Sequence, residues 1–148
     1  MAEFMKKLSV GSYFNIVAAI LGIVGLIAAL ICSNMTLTYQ LGNMGTIGCF
    51  AFVGAVLALA SVYLATVFGN ADIAGTAALL LSIACFAAAF GNVLSERILL
   101  IAGLFSYDSV NTVGWKVFYV TVVAMAAFLV GCLVLIIGAF TNSVKTAE

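Results

Sequence analysis

Four long apolar runs separated by short polar stretches set the plan of this chain. The stretch from Ile73 to Phe105, IAGTAALLLSIACFAAAFGNVLSERILLIAGLF, is the one the others are organised around. It is too long for one simple span, and its only charges are the adjacent Glu96 and Arg97. A bilayer-crossing helix needs about 20 apolar residues. The pattern therefore predicts a helix over 73–95, a charged boundary at Glu96 and Arg97, and a short apolar segment over 96–105. That segment is too short to cross, which suggests an interfacial or re-entrant piece. A plain helical continuation leaning over the rim is the other reading.

The remaining runs predict helices over 13–32, 46–68 and 114–140. The first follows a lead carrying Lys6 and Lys7, an arrangement shared with secretory signals. Its apolar run is longer than the usual signal core of about 7–15 residues. Ile31 before Cys32 also departs from a lipoprotein site, so the run reads as a helix. Residues 33–45 are polar, with turn-forming Asn and Gly. Asn34-Met35-Thr36 fits the N-glycosylation pattern, but at a helix end an oligosaccharide would crowd the membrane. The four residues 69–72 suffice only for an antiparallel hairpin, which makes helices 2 and 3 neighbours. The expected fold is all-α: an integral membrane four-helix bundle, up-down-up-down, forming one transmembrane domain over 1–148.

Composition supports that solvent assignment. The chain is 66% hydrophobic and 7% charged, and five basic plus five acidic side chains could not cover a water-soluble domain of 148 residues. Zero net charge argues against a nucleic-acid partner, and the absence of histidine excludes imidazole catalysis and His-ligated metals. Without proline, only glycine could break a helix, so straight helices are expected. Lys6, Lys7 and Lys145 fall on one side, and Arg97 and Lys116 on the other. The lysines before helix 1 place both termini in the cytoplasm by the positive-inside bias. The expected location is a cell membrane, crossed several times.

Helices in lipid associate through close packing at small residues. Helix 1 carries Ala18, Gly22, Gly25 and Ala29; helix 2 carries Ala51, Gly54, Ala55 and Ala58. Helix 3 offers Ala84, Ala88 and Gly91, and helix 4 Ala127 and Gly131. Four helices cannot turn all these faces inward, so self-assembly or docking with another subunit is expected beside bundle closure. Of the four cysteines, Cys32 and Cys49 lie near one membrane face, where a disulfide is geometrically possible. Cys85 and Cys132 read as small packing residues.

Ionisable groups inside a membrane mark function by default, yet no charge falls at mid-membrane here. The candidate partner or ligand contacts are Asn92, Glu96, Arg97, Asp108 and Trp115. Glu96 and Arg97 have apolar sequence on both sides, and adjacent helical positions do not face each other. Arg97 could instead pair with Asp108, while Trp115 beside Lys116 is an interface anchor. Asn92 and Asn15 would seek partners on other helices, Ser61, Thr121 or a carbonyl among them. No nucleophile–base pair, metal cluster or cofactor motif stands out, so the expectation is no enzyme, no cofactor and no metal.

The mid-membrane carboxylates of small multidrug-resistance transporters and rotary-ATPase c subunits are missing here, as is the Trp-Gly-Leu-Trp loop motif of claudin-like proteins. The opening KKLSVGSYFNIVAAILGIVGLI and the segment NVLSERILLIAGL resemble small uncharacterised four-helix membrane proteins of Gram-positive, often gut-dwelling, bacteria. That resemblance implies a bacterial inner membrane and brings no functional residues. Two functions remain in view. One is a non-enzymatic subunit that anchors or assembles with a partner protein. The other is a small oligomeric transporter or channel for an uncharged or amphipathic solute, drawing on Asn15, Ser61, Ser82, Asn92 and Thr121.

Overall fold

Small residues on the inside and large ones on the outside determine how this bundle closes. The computed structural model describes residues 8–69, 73–106 and 110–142. They form α1 (Val10–Asn34), a 3-10 turn (Leu37–Tyr39), α2 (Met44–Phe68), α3 (Ile73–Ser106) and α4 (Thr112–Ala139). All four helices are long and apolar enough to cross a membrane. The protein is thus the antiparallel four-helix membrane bundle that its apolar runs predict.

α1 packs against α2 and α4, and α3 closes the ring against the same two helices. The Gly11 N–H donates to the Asn142 carbonyl at 3.1 Å, which brings the ends of the described chain together. That end is called the terminal end here. The opposite one, carrying residues 35–43, is the loop end.

Ala18, Gly22, Gly25 and Ala29 of α1 are all buried, as are Ala51, Gly54, Ala55 and Ala58 of α2. Ile20, Ile23 and Ile27 of α1 and Phe52, Val56 and Leu59 of α2 point outward. This inversion follows from the solvent. Lipid is as apolar as leucine, so large side chains gain nothing by hiding, whereas small ones let backbones approach. Two phenylalanines fill what the small residues leave. Phe86 of α3 and Phe128 of α4 are both fully buried, with ring centroids 6.4 Å apart.

α3 decides two points that its sequence left open. Its inward face is Phe86, Ala89 and Val93, whereas Ala84 is exposed and Ala88 and Gly91 are half-buried. Secondly, 96–105 is neither a separate interfacial element nor a re-entrant one: α3 runs unbroken through it to Ser106. The reason is local. Leu94 to Leu100 contains no Gly or Pro, Glu and Arg are good helix formers, and both charges find partners without leaving the helix.

Those partners also set the level of the overhang. Arg97 reaches the Cys32 carbonyl, close to the end of α1 at Asn34. α3 then continues nine residues further to Ser106, about 13 Å at 1.5 Å per residue. Phe105 there meets Trp115 and Phe118 of α4 edge-on, with centroids 5.4 and 5.6 Å away. Such aromatic clusters suit a membrane–water boundary.

At the terminal end, Gly69 stops α2. Its N–H caps the Ala65 carbonyl at 2.9 Å, and its φ of 93° with ψ of 179° lies in a region essentially limited to glycine. The rest of the 69–72 connection lies outside the described residues.

Candidate functional site

Two openings, one at each end of the bundle, are lined in part by polar side chains. At the terminal end Asn15 is buried, and its Nδ2 donates to Ser61 Oγ at 3.1 Å. The Ser61 hydroxyl donates in turn to the Ala58 carbonyl at 2.7 Å. Asn15 Oδ1 is buried without a donor. A pocket of about 170 Å³ opens beside this pair, bordered by Leu79, Thr76 and Gly138 among others.

The loop end carries the larger opening. Loop residues Thr38, Tyr39 and Gln40 stand opposite Glu96, Arg97, Leu99, Leu100, Gly103 and Leu104 of the overhanging part of α3, and Asn111 closes one side. The groove holds about 570 Å³, within the range of roughly 300–1,000 Å³ usual for small-molecule sites. Its walls are fixed by polar contacts. The Gly42 N–H donates to Glu96 Oε2 at 3.2 Å, and the Leu41 N–H to Ser33 Oγ at 3.1 Å, which tethers the loop to α3 and α1. Asn111 Nδ2 donates to the Tyr39 hydroxyl at 2.9 Å, and its Oδ1 caps α4 by accepting from the Gly114 N–H at 2.9 Å.

Arg97 forms the floor, only 3% exposed. Its Nη2 donates to the Cys32 carbonyl at 3.2 Å and lies 3.5 Å from the Cys32 sulfur; Nε has no acceptor. Among the described residues no carboxylate lies within ion-pair reach. A guanidinium withdrawn from water is strongly disfavoured unless its charge is balanced, and one neutral carbonyl is a weak counterpart.

The site residues singled out from the sequence therefore separate. Glu96 and Arg97 meet in one groove, each held by a different backbone group. Asp108 lies outside the described residues, so its pairing with Arg97 does too. Asn92 turns back on its own helix, donating to the Ala88 carbonyl at 2.8 Å. Trp115 belongs to the aromatic cluster rather than the groove. Tyr39, Gln40 and Asn111 carry no sequence signal that links them to Arg97, because the contact between Tyr39 and Asn111 spans 72 positions. Cys32 and Cys49 are free thiols, and the contribution of Cys32 is its carbonyl.

Between the ends, Phe86 rests against three helices at once. A β-carbon on Gly54 would lie 2.7 Å from its ring, and one on Gly131 3.4 Å. Ser82 and Thr121, both buried, spend their hydroxyls on the carbonyls of Gly54 and Val117 at 2.6 and 2.8 Å. Four of the five polar residues are thus interior. Along α3, Leu79 borders the terminal pocket and Arg97 the groove, and these 18 residues span about 27 Å. That separation is close to the roughly 30 Å hydrocarbon core of a bilayer. No protein family, curated protein or solved structure matches this chain.

Proposed function

We propose that this membrane protein is a non-enzymatic subunit that assembles laterally with other membrane chains. The observation that carries this reading is the outward face of α3. Ala84, Ala88 and Gly91 lie there one turn apart, and a β-carbon on Gly91 would meet nothing within 4 Å. Small residues lining a helix interface allow the close approach on which helices in lipid rely. The equivalent faces of α1 and α2 are used up inside the bundle, so this one is left for a neighbour.

The alternative, an oligomeric transporter or channel, has the two end pockets in its favour. The Phe86 and Phe128 rings between them weigh against a route through a single copy, and the lateral-assembly reading needs no such route.

The test is the mass and composition of the complex isolated gently from its native membrane. A second polypeptide at fixed ratio, or a defined multimer, is the expected result. Gly91→Leu should reduce that species to the single chain without unfolding it. A single chain with no companion, unchanged by Gly91→Leu, would remove the proposal.

A further inference from the structure

The groove at the loop end combines features that lateral assembly does not use. Arg97 offers a fixed guanidinium with no carboxylate partner among the described residues, and its Nε is buried and unsatisfied. Glu96, the next residue, offers a carboxylate whose Oε2 is held by the Gly42 N–H. The two charges do not pair with each other, and both border the same opening. Past them, Leu99, Leu100 and Leu104 make an apolar wall. The geometry points to a binding site for a small amphipathic zwitterion, an α-amino acid with an apolar side chain.

Each part of that ligand has a counterpart. A carboxylate matches the planar fork of a guanidinium and adds a charge-assisted contact of the stronger kind. It would also supply a negative charge that Arg97 does not receive among the described residues. A lone anion would be brought up beside Glu96, and like charges at close range are disfavoured. A primary ammonium on the same molecule reverses that penalty, because a carboxylate can accept from it even while holding Gly42. The apolar side chain then lies against leucines, one of which, Leu99, is 84% exposed.

A bilayer phospholipid fits less well, for a directional reason. Its chains run from the headgroup toward the bilayer centre, which here means from Arg97 toward Phe86. The apolar wall lies the other way, since Leu99 to Leu104 follow Arg97 along α3 and are farther from Phe86. A ligand entering with its charged end first, and its apolar part trailing toward the mouth, suits this order.

The proposal does not rest on lateral assembly and is tested apart from it, by equilibrium binding to the purified full chain in nanodiscs. Three probes are used: L-leucine, 4-methylpentanoate, which lacks the ammonium, and isopentylamine, which lacks the carboxylate. L-Leucine should bind saturably, and each truncated probe about tenfold or more weakly. Glu96→Gln should weaken L-leucine but spare 4-methylpentanoate, and Arg97→Gln should abolish binding of both. Leu99→Asp sits at an exposed position. It should weaken L-leucine while leaving the fold intact, so the proposal stays testable if the Arg97 variant fails to fold. No saturable L-leucine binding to the wild type would overturn the site, as would L-leucine binding indifferent to Glu96→Gln and Leu99→Asp. A co-purified phospholipid, one per chain and lost with Arg97→Gln, would assign the groove to lipid and overturn it as well.

Discussion

Phe86 of α3 lies on Gly22 of α1 so closely that a β-carbon there would sit 2.6 Å from its Cε1. The ring is fully buried and touches glycine positions on all three other helices, so it has nowhere to retreat. Gly22→Ala should therefore destabilise the bundle by about 1–3 kcal/mol, the usual cost of overpacking. Thermal unfolding in mild detergent measures it. Gly48→Ala, whose new carbon would meet only Leu26 Cδ1 at 3.8 Å in ordinary helical backbone, is the control and should not destabilise. Combining Gly22→Ala with Phe86→Leu should cost less than the sum of the two single changes, because both act on one contact.

The inward faces of α1 and α2 were legible in the sequence for the reason this pair displays. Ala18, Gly22, Gly25 and Ala29 recur at helical spacing, and in lipid the small face is the packed one. α3 was left open because it carries small residues on more than one face, Ala78, Ser82 and Ala89 on the buried one and Ala84 and Ala88 elsewhere. Ala84, Ala88 and Gly91 offer one small face, but Gly22, Gly54 and Gly131 on the other three helices together seat Phe86. That seat turns the small face outward. The overhang was hidden for a similar reason. A charged pair reads as a membrane boundary, whereas the groups that hold Glu96 and Arg97, the Gly42 N–H and the Cys32 carbonyl, lie 54 and 65 positions away. The bond from Asn15 to Ser61 was among the partners the sequence suggested, since each is a rare polar residue in an otherwise apolar helix.

That bond gives a second prediction. Ser61→Ala removes the only acceptor that Asn15 Nδ2 has, leaving a buried amide with neither end satisfied. The expected loss is about 1 kcal/mol, the scale found for interhelical hydrogen bonds in membranes. Thr121→Val should cost less, because Thr121 bonds the Val117 carbonyl of its own helix. Denaturation of the two variants side by side in the same detergent decides the order.

Cysteine chemistry gives a third. Cys32 is buried and Cys49 exposed, and all four thiols are free. Alkylation after denaturation without reductant should add four labels per chain, and the intact mass reports the number. Two labels would mean that one disulfide forms in the membrane. Cys32→Ala should be tolerated, since Arg97 donates its shorter hydrogen bond to the backbone carbonyl, which the substitution keeps, and loses only the longer contact to sulfur.

Gly69 provides the last. Its backbone conformation is one that a side chain strains by about 1–3 kcal/mol, and its N–H closes the final turn of α2 on the Ala65 carbonyl. Gly69→Ala should destabilise the protein even though the new methyl group would meet nothing within 4 Å. Gly91→Ala has the same open surroundings but ordinary helical backbone, and alanine is the better helix former by about 1 kcal/mol. The two substitutions should therefore move unfolding temperature in opposite directions. Equal effects of the two would mean that backbone conformation at Gly69 does not govern how α2 ends.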